Sequence, residues 1–142
     1  MTDMGLSPQE SRDLRRIAGL MVPASEAYKV PGADDPTIFK DIETSIGRDM
    51  AEMHKALAAL AGIAELDAST AMARAEAFRS AGGAAVAAVE RCILQCYYRD
   101  DRVVISLGLE ARPPFPKGHV LEQGDWSLLD PVRKRAKMWR DA

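Results

Sequence analysis

The side chains able to do chemistry are few and scattered. Histidine occurs twice, at His54 and His119. His54 follows Met53 on an apolar-striped stretch and has no second histidine or carboxylate at ligand spacing, the pattern of a structural or surface residue. His119 has Lys117, Glu122 and Asp125 nearby, a setting that a proton-transfer or flavin-adjacent role would use. Asp34-Asp35 and Asp100-Asp101 resemble halves of a metal site, yet each pair stands just before an expected helix, where capping uses it. Cys92 and Cys96 are four residues apart, so both thiols share one helical face and suit packing. A metal or haem site would ask for C-x-x-C, C-x-x-C-H or two further ligands, and none is present. The sequence also contains no G-x-G-x-x-G, G-x-x-x-x-G-K-[ST], H-E-x-x-H or G-x-S-x-G. We assign no catalytic, cofactor-binding or metal-binding residue, and expect no independent catalysis.

Charge points the same way. Residues 1–100 hold 11 Lys/Arg against 15 Asp/Glu, a net −4, and residues 101–142 hold 8 against 6, a net +2. A nucleic-acid binder would be strongly basic. The cluster Arg133-Lys134-Arg135-Ala136-Lys137 reads as the solvated face of a terminal helix. Arg15-Arg16 followed by Ile17-Ala18-Gly19-Leu20-Met21-Val22 superficially matches a twin-arginine export signal. Glu10 and Asp13 precede it, however, and Pro23 ends the apolar run, so an amphipathic helix with the arginines on its polar face is the better reading. No apolar run reaches the 18 residues of a membrane span.

The elements that must position these groups are helical. With 142 residues, 47% apolar and 28% charged, the chain has the size and balance of one globular domain. Ser7-Pro8-Gln9-Glu10 is a capping-box start, predicting a helix over 8–21. Asp35-Pro36 repeats the cap-plus-proline start. Ile38, Ile42, Ile46, Met50, Met53, Leu57 and Leu60 then recur at three- and four-residue steps, predicting one long helix of about six turns. Asp67 or Ser69 caps a third helix through Phe78-Arg79, and Gly82-Gly83 separates it from a fourth that turns Val86, Val89, Ile93 and Cys96/Tyr97 inward. Asp100 or Asp101 opens a short turn from Arg102 to Leu107, closed by Gly108. The predicted fold is all-α, a small helical bundle over residues 1–108, followed over 109–142 by a long extended, proline-containing tail. That tail ends in a short helix from Asp130-Pro131 to about Trp139.

In the tail, Pro113, Pro114 and Pro116 favour an extended path with unpaired carbonyls. Phe115, Val120, Leu121, Trp126, Leu128 and Leu129 are too apolar for a solvated linker. Structureless stretches longer than about 12–15 residues are uncommon in compact domains unless functional, which favours a strap that grips a partner. The expected interface residues are Tyr98, Arg112, Pro113, Pro114, Phe115, Pro116, Lys117, His119, Trp126 and Trp139. Of the neighbouring Tyr97 and Tyr98, one is expected in the core and the other towards the tail or a partner.

Three segments together resemble the gluconate 2-dehydrogenase subunit 3 family, the small subunits of bacterial flavin-dependent sugar and alcohol dehydrogenases. These are Leu20-Met21-Val22-Pro23-Ala24 with Pro31-Gly32-Ala33; Tyr97-Tyr98-Arg99-Asp100-Asp101-Arg102-Val103 with Leu107-Gly108; and Arg112-Pro113-Pro114-Phe115-Pro116-Lys117-Gly118 with Asp125-Trp126 and Leu129-Asp130-Pro131-Val132-Arg133. The resemblance implies a non-catalytic accessory subunit that binds and stabilises a large dehydrogenase of the glucose–methanol–choline oxidoreductase type, within a possible higher-order hetero-oligomer. It places FAD, the substrate pocket and the catalytic base in that partner, and no cofactor in this chain. Many members carry a twin-arginine signal. The start Met1-Thr2-Asp3-Met4-Gly5-Leu6 does not, so the expected compartment is the cytoplasm, or the periplasm if the partner bears the signal. Ser25 stands where the family has an acid, and no binding role is carried onto it. Two alternatives remain: a stand-alone helical ligand-binding protein, with Tyr28, Met21, Met50 and Met53 lining a pocket, and a homodimer that swaps its tails.

Overall fold

A computed structural model of the chain describes residues 5–113, 118 and 122–136. The chain divides into two compact units, Met1–Ala111 and Arg112–Ala142. The first is an all-α bundle of α1 (Pro8–Met21), α2 (Pro36–Ser45), α3 (Met50–Ala59), α4 (Ala68–Ala81), α5 (Ala84–Tyr97) and α6 (Asp101–Ser106). The described residues form no strand; Ser25 and Val30 make one isolated antiparallel bridge in the loop after α1.

Local capping decides where these helices begin. The Ser7 hydroxyl accepts from the Glu10 amide at 3.3 Å, and the Glu10 carboxylate accepts from the Ser7 amide at 2.8 Å, closing the expected capping box. Asp35 caps α2 through the amides of Thr37 and Ile38, Asp67 caps α4 through those of Ser69 and Thr70, and Asp100 caps α6 through Arg102. One member of each acidic pair, Asp35 and Asp100, is thus absorbed by a helix start.

The single six-turn helix expected from Ile38 to Leu60 is not formed. α2 stops at Ser45, a 3-10 turn occupies Gly47–Asp49, and α3 starts at Met50. Gly47 takes φ +49, a left-handed conformation that a helix interior does not allow and that glycine adopts without steric cost. The apolar stripe nevertheless survives the break, because Ile38, Ile42, Ile46, Met53, Leu57 and Leu60 are all buried. Asp49, inside the turn, pairs with Arg91 of α5 at 2.8 Å. The kink therefore lets two short helices, α2 and α3, pack on α5 together.

α5 is the centre of the bundle and buries Val89, Cys92, Ile93, Cys96 and Tyr97. Both cysteines are free thiols in the core. Burial pushes the Cys92 thiol up to about 12, so it behaves as a small apolar side chain whose S–H points to the Ile42 carbonyl oxygen at 3.6 Å. Among the described residues, one charged side chain lies fully inside. Asp13 of α1 accepts from the amides of Gly62 (3.0 Å) and Ala64 (2.9 Å), and so caps the 3-10 turn Ile63–Glu65 from another helix. Arg15 and Arg16 of α1 do not share a solvated face. Arg15 is exposed, and its Nε donates to the Asp34 carbonyl at 2.9 Å. Arg16 is half-buried, with an Nε that meets no hydrogen-bond partner.

In the second unit, a 3-10 turn over Trp126–Leu129 runs directly into α7 (Asp130–Arg133). The helical turn thus begins four residues before the expected start, because the Asp125 carboxylate accepts from the amide and hydroxyl of Ser127 and nucleates it. It also stops at Arg133, short of the expected extension. A helix with no buried side has only its own few hydrogen bonds to extend on.

Candidate functional site

Tyr97 and Tyr98 part company at the C-terminus of α5. Tyr97 enters the core and donates its hydroxyl proton to the Pro31 carbonyl at 3.2 Å, pinning the Pro31-Gly32 loop. Gly32 is needed there, because a Cβ would stand 2.4 Å from a carboxylate oxygen of Asp34 and 2.9 Å from the Ala24 amide nitrogen. Tyr98 stays 55% exposed and meets the Tyr97 ring edge-on, with centroids 5.3 Å apart. The buried tyrosine holds the backbone that displays the exposed one.

The next element is locked in place by arginines. Arg102 donates to both carboxylate oxygens of Asp35 and to those of Asp100, joining the start of α6 to the start of α2. Arg99 forks onto both oxygens of Asp41 and reaches the Ser45 hydroxyl. These guanidiniums hold the carboxyls of Asp35, Asp100 and Asp41 below the usual carboxylate range. Surface pairs of this kind contribute roughly 0–1 kcal/mol each, so their main effect is orientation.

What they orient is apolar and faces outward. Of α6 only Val103 is buried, while Ile105 (60% exposed), Leu107 and Leu109 (60%) stand in solvent beside the tyrosine end of α5 in sequence. The expected interface residues omitted these three. A signal was present: Val103, Val104 and Ile105 in a six-residue helix, with Leu107 just after it, are more apolar side chains than one buried face can take.

In the second unit, Arg112 donates to the carbonyls of Pro113 and Gly118 at 3.2 and 3.1 Å. Trp126 is 60% exposed, with its indole N–H on the Gln123 side chain, and Leu128 is 75% exposed. Leu129 and Val132 are exposed as well. Pro114, Phe115, Pro116, Lys117, His119 and Trp139 lie outside the described residues. Arg133, Lys134 and Arg135 are exposed, and Arg133 pairs with Asp130 at 3.6 Å.

Other candidates resolve into structure. His54 Nδ1 lies 2.7 Å from the Glu10 carboxylate, linking α3 to the cap of α1. The Ser7 amide, then His54 and the Ser7 hydroxyl, hold the Glu10 carboxyl down at about 2. The residues expected to line a ligand pocket are not brought together: Met53 is fully buried in the core, Tyr28 is 77% exposed, and of the four only Met21 borders a sizeable groove. Among the described residues, no three His, Cys, Asp or Glu side chains are placed to share a metal ion. None of the described helices is long and apolar enough to cross a membrane. Comparison with family models, with curated proteins and with solved structures gives no match for this chain.

Proposed function

We propose that this chain is a non-catalytic accessory subunit that binds and stabilises a large FAD-dependent dehydrogenase of the glucose–methanol–choline oxidoreductase type. One observation carries the reading. Among the described residues, eight of the eleven exposed large apolar side chains fall from residue 98 onwards in sequence, Tyr98, Ile105, Leu107 and Leu109 in the helical unit and Trp126, Leu128, Leu129 and Val132 in the tail, while Tyr28, Met72 and Leu94 lie elsewhere. Exposed large apolar side chains are a feature of protein interfaces, and rings that become buried at an interface centre dominate its binding energy. The class of partner rests on the sequence resemblance alone; FAD and the reacting groups would reside in that partner.

A stable interface of this kind would bury about 1,000 Å² or more in total. The test is a tagged pull-down from the native host, with mass spectrometry and a visible absorption spectrum of the eluate. A yellow complex with a large flavoprotein is the expected result. A colourless eluate holding this chain alone would overturn the proposal and favour a self-associating or ligand-binding helical protein.

A further inference from the structure

A groove of about 420 Å³ lies among α1, α4 and α5, and its lining includes none of the C-terminal apolar residues on which the accessory-subunit reading rests. Leu20 and Met21 of α1, Val86 and Val89 of α5, and Met72 and Phe78 of α4 give it apolar walls. Its size falls within the roughly 300–1,000 Å³ of small-molecule pockets. It is also open to solvent, since Met72 is 40% exposed and Phe78 only half-buried, so a guest has a way in.

The α4 wall is held at one end. Arg74 donates to the carbonyls of Ala59 (3.0 Å) and Ala61 (3.1 Å), and Ala71 is the one residue of α4 that is fully buried. Beyond Arg74 the helix rests on half-buried Ala75 and Phe78 and then ends at Gly82 and Gly83. Both glycines have positive φ, and no atoms crowd the place where a Cβ would sit. Glycines in open space absorb a change of backbone direction at little steric cost. The N-terminal half of α4 is thus the better anchored part of this wall.

The polar groups around the groove select the guest. Glu76, Glu90 and Arg79 line it together with the apolar side chains. A carboxylate headgroup would meet two glutamates, and an ammonium headgroup would meet the guanidinium. A neutral hydroxyl satisfies both, accepting from Arg79 and donating to a glutamate. We propose that this groove binds the hydrocarbon chain of a neutral, hydroxyl-ended amphiphile.

The experiment uses the full chain, Nile red as reporter and 1-decanol as competitor. The expected result is saturable dye binding at one site per chain and displacement by 1-decanol, with decanoate and decylammonium about ten-fold weaker. Ala75→Trp, which fills the groove, should abolish both signals, and so should the more exposed Met72→Glu if Ala75→Trp fails to fold. The Leu107→Asp/Leu109→Asp variant should leave them unchanged. Dye binding that 1-decanol does not displace, binding that survives in folded Ala75→Trp or Met72→Glu, loss in the Leu107/Leu109 variant, or equal displacement by decanoate would each overturn the proposal.

Discussion

The two units treat the same kinds of side chain in opposite ways. In the helical unit, Leu14, Ile42, Met53, Ile63 and Ile93 are fully inside, and even Asp13 is buried with its oxygens satisfied by amides. In the tail, Trp126, Leu128 and Val132 are exposed, and neither its 3-10 turn nor α7 buries a residue. Burial of apolar surface is the dominant favourable term in folding. The helical unit therefore holds what it needs to be stable alone, whereas the described tail keeps its apolar surface available for something else. The α6 edge sits between these cases. Its backbone is latched by Arg102 to Asp35 and Asp100, yet Ile105 and Leu107 are displayed as openly as the tail residues.

Core substitutions should break this contrast most strongly. Ile93→Ala removes a fully buried side chain from α5 and is expected to cost about 2–5 kcal/mol, read as a loss of stability in urea unfolding. Leu128→Ala should shift the same curve by less than about 0.5 kcal/mol. Equal effects would mean that the tail is as much a part of the folded core as α5. Next comes Asp13→Ala, which leaves the amides of Gly62 and Ala64 without their acceptor. A loss of about 2–3 kcal/mol is expected, with faster amide exchange at residues 62 and 64. Unchanged exchange there would show that the turn is held by other contacts.

A smaller effect concerns pH. The Glu10 carboxyl is lowered to about 2 in the folded chain, chiefly by the Ser7 amide and then by His54. A depressed carboxyl gives stability that is complete above its unfolded value and is lost as pH falls through the folded one. Stability should thus decline between the ordinary glutamate range and about pH 2, and Glu10→Gln should flatten that decline. The check is thermal unfolding followed across the window; an identical pH slope in the variant would remove Glu10 from the account. Smallest is Arg102→Gln, which should cost no more than about 1 kcal/mol of stability, since surface ion pairs contribute little. In the accessory-subunit reading it should still weaken partner binding, by freeing α6 from α2.

Much of the fold was legible because helix starts are written locally. Ser7-Pro8, Asp35-Pro36 and Asp100 each place a side-chain acceptor within three residues of the amides it serves, so type and spacing suffice. The break at Gly47 was not legible from the stripe, because the apolar period runs on through it. What turns the break into a fold is the pairing of Asp49 with Arg91, 42 residues away. Asp13 was hidden for the same reason, since its partners are 49 and 51 residues further on. The candidate surface was half visible. Tyr98 and Trp126 stand out by residue type, whereas Ile105, Leu107 and Leu109 become candidates once Val103 is seen to be the only buried side chain of α6.

The most direct test of the central claim is to compare the wild-type chain with a Phe115→Ala/Trp126→Ala variant, each tagged and recovered from the native host. The account predicts that the variant unfolds at the same temperature as wild type but loses the bound flavoprotein and its yellow absorbance. A variant that keeps its partner as fully as wild type would contradict the tail's role as the grip.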